Sequence, residues 1–333
     1  MYPKNYFLLS NSLRTFAFEI NTTTKLMKHL FVINPQAGQR NATDEIKERI
    51  QLISNHIDTE IYITQAPGDA TRYVRQRCAE GDAASLRFYA CGGDGTLNEV
   101  ASGLVHHPEA QLTSLPVGSG NDYIKYYGTR EQFLDLDRLT SGTPHRVDLM
   151  QIASPDLPEP RYSLNITNFG FDAIVCKNAI RLRRTPIIGR RHSYTTGIII
   201  ALFNGWRTTC RVAADGTLLH DGPMLLCTLG NGRYNGGAYQ CSPLSLNNDG
   251  LIELCLFKPM SIISFARLIG SYRDGTFIRR DDLRHRYTYR RATSVEITTP
   301  RPLDLCIDGE IITSNHFTVK QLPGALQFVT PAR

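Results

Sequence analysis

The sequence predicts a two-part α/β protein: an N-terminal α/β domain with a parallel sheet and helices on both faces, then a mainly antiparallel β-sandwich domain. Two observations predict this. In residues 28–147, short apolar runs alternate with segments of helical spacing, and glycine or proline turns follow the runs. After about residue 147, short alternating segments take over.

The elements follow in order. His29 to Asn34 is an apolar, β-branched run ended by Pro35, a buried strand. Asn41 to Ile53 places Ile46, Ile50 and Ile53 on one helical face. Thr59 to Thr64 alternates as a second strand, and Pro67-Gly68-Asp69 opens a helix that runs toward Gly81. Leu86 to Cys91 is a third strand, Thr96 to Val105 a helix, and Leu112 to Pro116 a fourth strand before Gly118-Ser119-Gly120. Helices are expected near Asp172 to Arg184, Ser193 to Trp206 and Ile262 to Ser271. The second part has strands at Thr209 to Ala213, Met224 to Gly230, Leu251 to Lys258, Arg286 to Arg291, Ser294 to Thr298, Leu303 to Ile307 and Phe317 to Lys320. Asp215-Gly216 and Asp308-Gly309 supply hairpin turns. The expected domains are 28–147 and 148–320. Residues 1–27 read as a poorly defined extension, and 321–333 as a tail able to pack back on the first domain.

A chain of 333 residues, 41% of them hydrophobic, can bury a full core without disulfides or zinc. Lys and Arg total 37 against 31 Asp and Glu, giving +6. That surplus favours anionic lipid or nucleotide but is too small to indicate nucleic acid. The eight cysteines include no C-x-x-C pair, which reads as buried thiols in a reducing compartment. The longest apolar run, Gly197 to Phe203, is about a third of the ~20 residues a spanning helix needs. Met1 to Lys25 lacks the apolar core of a signal peptide.

Three loops carry the chemistry. Cys91-Gly92-Gly93-Asp94-Gly95-Thr96-Leu97-Asn98-Glu99 lies between a strand and a helix, where glycines and free N–H groups admit a phosphate. A carboxylate there makes sense with a magnesium ion between it and the phosphates; the alternative is a helix cap. Leu115 to Asp122 follows a strand and sets Ser119, Asn121 and Asp122 beside two glycines; alone it is an Asx turn. Asn34-Pro35-Gln36-Ala37-Gly38 is a third strand-end loop. Three such loops on one sheet edge indicate a nucleotide cradle. It is not a P-loop, because G-x-x-x-x-G-K-[ST] is absent.

In order and spacing these loops resemble the catalytic domain of soluble bacterial diacylglycerol and lipid kinases, related to sphingosine and ceramide kinases. The resemblance spans about residues 28 to 320. It implies ATP contacts from Asn34, Pro35, Gln36, Ala37, Gly38, Thr64, Gly92, Gly93, Asp94, Gly95, Thr96, Leu97, Asn98 and Ser119, the last standing where many members have threonine. It implies that Asp94, Asp122 and Asp148 organise magnesium near the phosphates, and that a structural magnesium binds the Asp249 side chain and the Leu246 and Leu251 carbonyls. From the residues alone, that last segment is an Asn-Asp-Gly turn without metal. In Cys306-Ile307-Asp308-Gly309-Glu310 the residues alone give a β-turn with solvated acids. The resemblance assigns Glu310 as general base, with Asp308 in metal-water contacts or as the base itself, and places ATP and the active site in the interdomain cleft.

The implied reaction is in-line transfer of the γ-phosphate of ATP to a lipid hydroxyl, with diacylglycerol the leading substrate. The alternatives are a kinase of a sphingoid or other lipid alcohol, an NAD kinase, or a nucleotide-binding regulator without catalysis. Arg181, Arg183, Arg184, Arg190 and Arg191 near Ile198 to Phe203, and Arg279, Arg280, Arg284, Arg286, Arg290 and Arg291, form two basic clusters. They read either as a dock for anionic membrane, at ~1 kcal/mol per residue, or as a solvated face. A cytoplasmic protein visiting the inner face of the membrane is expected, and a homodimer is compatible with the sequence.

Overall fold

The computed structural model describes residues 26–38, 41–183, 196 and 207–333. Four strands, β1 (Lys28–Ile33), β2 (Asp58–Ile63), β3 (Leu86–Gly92) and β4 (Gln111–Pro116), pair in parallel in the order β2-β1-β3-β4. The crossovers between them contain α1 (Thr43–Ile53), α2 (Asp69–Glu80) and α3 (Asp94–Gly103). Right-handed crossovers require α1 on one face and α2 with α3 on the other, because the strand order reverses after β2. Leu30, Phe31, Val32 and Ile33 are fully buried, as a central parallel strand covered on both faces demands. The reversal places a switch point between β1 and β3, the place where such sheets take ligands.

Beside Leu30, the His29 ring is buried and its Nδ1 lies 2.7 Å from the Tyr89 hydroxyl. Burial, helped by the Arg87 charge and opposed by Asp58, pushes the imidazole down to about 4. Its stabilising contribution is therefore present above the ordinary value of 6.5 and is lost as pH falls toward about 4. The unfolding midpoint is expected to drop across that window, and less steeply in His29→Gln. Equal slopes in the two proteins would remove His29 as the cause.

The second half contains β5 (Thr143–Ala153), β6 (Arg161–Ser163), β7 (Ile166–Gly170), α6 (Phe171–Arg183), β8 (Thr208–Ala214), β9 (Thr217–Met224), β10 (Leu226–Gly230) and β11 (Ile252–Phe257). A helix (Ile262–Arg273) follows, then β12 (Tyr287–Ala292), β13 (Ser294–Ile307) and β14 (Glu310–Thr330). Between β4 and β5 stand two short helices, α4 (Arg130–Leu134) and α5 (Leu136–Thr140), so Ile262–Arg273 is α7. Pairing in this half is antiparallel: β12-β11-β10-β7-β13-β14, with β8 on β13 and β5 on β14. Both expected hairpin turns form with positive φ, Asp215-Gly216 at 47° and 75° and Asp308-Gly309 at 46° and 95°.

Two differences from the sequence reading have local causes. The segments 294–298 and 303–307 are one strand, with a register shift between Thr298 and Leu303. Pro300 and Pro302 remove ladder donors there but leave the chain extended. Likewise 317–320 is the middle of the 21-residue β14, whose Pro323-Gly324 makes a register shift against β5 and not a strand end. Strand β14 joins the halves: it is antiparallel to β13 and β5, and its Gln327 and Phe328 pair in parallel with β4. The expected helix at 193–206 lies outside the described residues, apart from Thr196.

Candidate active site

Glycines bring the first two loops into contact. Val117 and Gly118 N–H both donate to the Gly92 carbonyl, at 3.0 and 2.9 Å. A Cβ on Gly118 would collide with Gly93 Cα, and one on Gly92 would collide with the Thr96 side chain. The Thr96 hydroxyl in turn accepts from Asn34 Nδ2 at 3.0 Å, and Asn34 N–H donates to the Cys91 carbonyl at 3.0 Å. The Asn34 carboxamide and carbonyl accept from Gln36 and Ala37 N–H, turning the chain through Pro35 to Gly38, whose φ is 75°. Thr64, just beyond β2, is buried against the Ile33 carbonyl. The 34–38, 92–98 and 117–122 loops thus meet beyond the carboxyl ends of β1, β3 and β4. Ser119 and Gly95 are exposed, whereas the Leu97 side chain is core. Gly118→Ala should cost ~1–3 kcal/mol by overpacking and weaken nucleotide binding. Wild-type thermal stability and ATP affinity in that variant would show that the loops do not depend on this contact.

Asp94 opens α3, where its Oδ1 accepts from the N–H groups of Asp122 (2.7 Å) and Tyr123 (3.2 Å). Burial and the neighbouring Asp122 carboxylate push its carboxyl up, to about 7. Asp122 is buried and receives Lys125 Nζ at 2.6 Å and Gly237 N–H at 2.9 Å, and Lys125 also donates to the Gly237 carbonyl. A Cβ on Gly120 would lie 2.9 Å from Asp94 Oδ2 and 3.5 Å from Asp122 Oδ2, so both oxygens border a space that glycine leaves open. Two carboxylate oxygens at one opening suit a hard cation such as magnesium, which binds through one or two carboxylates and the phosphates it neutralises. Among the described residues there is no protein-only cluster of three or more metal-binding side chains.

The turn between β13 and β14 reaches this region from the second half. Asp308 Oδ2 accepts from Asn98 Nδ2 at 2.7 Å and from Leu164 N–H at 2.7 Å. Its Oδ1 accepts from the Ser163 hydroxyl at 2.9 Å and from Ile166 N–H at 2.8 Å, and Asn165 N–H lies within 3.2 Å. Burial raises the Asp308 carboxyl despite these donors. Glu310, by contrast, is half exposed and is faced by Arg161 at 3.3 Å. The two carboxylates therefore have different environments. Asn98, expected to touch nucleotide, spends its amide on Asp308 and the Tyr162 carbonyl. Glu99 lies close enough to Glu310 for that charge to help raise its carboxyl, though burial is the larger cause.

Two expected metal positions are arranged differently. Asp148 is buried, and its oxygens accept from Gly250 and Gly324 N–H at 2.7 Å each. It faces the 246–251 loop, and among the described residues no hydrogen bond joins it to Asp94 or Asp122. In that loop Asp249 is bonded by the Arg291 guanidinium, which also meets Glu253 at 2.9 Å, while Leu251 N–H donates to Asp249 Oδ1 and Leu246 is exposed. A positive charge therefore sits at Asp249, the only carboxylate of that set.

Lys125, Gly237 and the 163–166 segment were not evident in the sequence. Gly236-Gly237 was the one available signal, and both have positive φ.

The diacylglycerol kinase catalytic domain family matches residues 28–152, and the YegS C-terminal NAD kinase beta sandwich-like domain family matches residues 165–330. A relative from Stenotrophomonas maltophilia named "Probable lipid kinase YegS-like" is 27% identical over 303 residues, covering 89% of this chain and 94% of its own. One of the same name from Pseudomonas syringae pv. tomato is 28% identical, covering 89% and 92%. A diacylglycerol kinase structure from Bacillus anthracis superposes with a TM-score of 0.67 at 21% identity, over 92% of this chain and 98% of that one, which shows a shared fold. With the two domain families matching in this order over nearly all the described residues, the chain belongs to the diacylglycerol kinase-like lipid kinases, a family whose activity implies ATP as the phosphoryl donor.

Proposed function

We propose that the chain transfers the γ-phosphate of ATP, with magnesium, to the hydroxyl of a lipid alcohol, diacylglycerol first among them. In this reading residues 28–147 hold the nucleotide and 148–320 present the lipid. The observation that carries it is the Asn98–Asp308 hydrogen bond at 2.7 Å, which ties the turn bearing Glu310 to the helix that Asp94 begins. In this reading the glycine loops and a half-exposed carboxylate serve one site.

The glycine loops offer backbone N–H groups and close approach to the phosphates, and Asn34, Thr96 and Thr64 shape the loops around them. Magnesium, held by Asp94 and Asp122, would neutralise charge on the transferring phosphoryl group. Lys125 and Gly237 hold Asp122 in place. Glu310 takes the proton from the lipid hydroxyl, and Arg161 orients it. Asp308 acts through its backbone nest as the fastener of the turn.

Among the described residues no helix is long and apolar enough to cross a membrane. A cytoplasmic chain acting at a membrane surface then needs a docking face. Ile262 and Ile263 are 57% and 69% exposed at the start of α7, near the arginines of 276–286; Arg280 bonds the Arg267 carbonyl of that helix. Of the first basic cluster, Arg184, Arg190, Arg191 and the 198–203 segment lie outside the described residues. In the second, Arg280 is paired with Asp282, and Arg291 with Asp249 and Glu253. The arginines of 276–286 with Ile262 and Ile263 remain the better dock. Binding to anionic vesicles is expected to weaken as salt rises, and equal binding to neutral vesicles would remove this face from the reading.

Labelled ATP and magnesium, incubated with the protein and separately with diacylglycerol, sphingoid base and NAD, test the proposal. Labelled phosphatidic acid is the expected product. Label only in a phosphorylated sphingoid base would reassign the lipid, and no lipid product would overturn the reading.

A further inference from the structure

A cavity of about 660 Å³ opens where the start of β5 meets the end of β14. Tyr126 and Tyr127 line it on one side, and His145, Arg146 and Arg333 bring basic groups to it. Among the described residues no lining side chain is acidic, and none comes from the 34–38, 92–98 or 117–122 loops. A second cavity of about 670 Å³ shares His145, Arg146 and Asn248 with the first and is bordered by Asp148 and Asp249. Those two carboxylates are already spent, Asp148 on the Gly250 and Gly324 N–H groups and Asp249 on Arg291.

The basic groups are held in place. Arg146 Nη1 donates to the Pro108 and Gly324 carbonyls at 2.9 and 3.3 Å, which fixes the guanidinium. Among the described residues its Nε and Nη2 have no partner. His145 Nε2 lies 3.0 Å from the Thr330 hydroxyl, so its ring is tethered at the same cavity. A planar guanidinium with open N–H groups suits a phosphate, which it can meet through two parallel hydrogen bonds. Asn247 also lines the cavity and is 2% exposed; its Nδ2 donates to the Tyr123 and Tyr127 hydroxyls. Among the described residues its Oδ1 accepts nothing, although a buried carboxamide oxygen normally has a donor. An occupant with a hydroxyl would supply that donor.

We propose that this cavity binds a polyol phosphate, with the phosphate on Arg146 and Arg333 and a hydroxyl on Asn247 Oδ1. The volume lies in the range of small-molecule sites. Binding here goes beyond the proposed phosphoryl transfer and does not depend on it, since the nucleotide loops contribute nothing to the walls. The same chemistry has two sources, a free polyol phosphate and the headgroup of a glycerol-bearing phospholipid.

The test is calorimetric titration of the whole chain with glycerol 3-phosphate, in the presence of magnesium and a saturating non-hydrolysable ATP analogue. Glycerol is the uncharged control. Vesicles of phosphatidylglycerol in phosphatidylcholine form the second arm. One site for glycerol 3-phosphate is expected, with affinity at least ~10-fold lower in Arg146→Gln, the loss that removing one charge-assisted hydrogen bond predicts. Arg333→Gln, which lies at the exposed chain end, should weaken binding in the same direction and decides the matter if Arg146→Gln melts below the native protein. Binding of glycerol 3-phosphate identifies the free compound as the ligand. Binding only to the phosphatidylglycerol vesicles, lost in these variants, identifies the headgroup. No binding in either arm, equal binding of glycerol, displacement by the ATP analogue, or binding unchanged in both variants overturns the proposal. Vesicle binding that persists in both variants belongs to another face, such as the arginines of 276–286, and counts as unchanged.

Discussion

Glu310→Gln is expected to keep ATP binding near that of the native protein while turnover falls ~10²–10⁴-fold, the usual cost of losing a general base. The loops proposed to hold nucleotide follow β1, β3 and β4, and among the described residues the charged partner of Glu310 is Arg161, outside those loops, so affinity should survive. The side chain is half exposed and has Arg161 as its charged neighbour, so the isosteric change should leave the fold intact. Asp308→Asn is the control, and its expected signature differs. Asp308 accepts from Asn98, Ser163 and the 164–166 backbone, all donors. An amide would turn one oxygen into an N–H facing N–H groups. Hydrogen bonds to a charged group contribute ~1.5–3 kcal/mol each, so this variant should lose several kcal/mol of stability together with turnover. Should Asp308→Asn melt like the native protein and lose turnover while Glu310→Gln stays active, the base is Asp308.

Asp94→Asn is expected to lower turnover ~10²–10³-fold with nearly unchanged melting, and Asp94→Ala to lower both. Asparagine retains an oxygen for the Asp122 and Tyr123 N–H groups, so the loop can keep its shape. What it loses is a negative charge facing the opening that Asp94 shares with Asp122. Alanine also strands two N–H donors, which adds a stability cost of ~1–3 kcal/mol for each one left unpaired. Near-native turnover in Asp94→Asn at saturating ATP and magnesium would sink the assignment of this loop to the phosphates. Measuring turnover against magnesium concentration separates weaker metal binding from a slower chemical step, because only the former is rescued by excess metal.

The strand–helix alternation, the glycine loops at the strand ends and both Asp-Gly hairpin turns were legible in the sequence. Each is a local matter of periodicity or of φ, and neighbouring residues decide it. The segments 294–298, 303–307 and 317–320 were drawn too short: the extended strands run on through Pro300, Pro302 and Pro323 with register shifts. The diverging roles of Asp308 and Glu310 were not legible. Both are carboxylates in one turn, and only the fold shows that the first is saturated by donors from Asn98 and residues 163–166 while the second is half exposed and faced by Arg161. Asp148 was likewise unreadable, because its partners, Gly250 and Gly324, lie 102 and 176 residues away. So was the clamp on Asp122, where Gly237 is 115 residues distant. By itself the sequence determined which segments form strands, helices and phosphate-sized loops, since those depend on side-chain period and backbone freedom. The tertiary structure alone decided which carboxylates meet at the opening and which are spent on backbone donors, since burial and hydrogen bonding between distant segments set the charge, orientation and availability of each one.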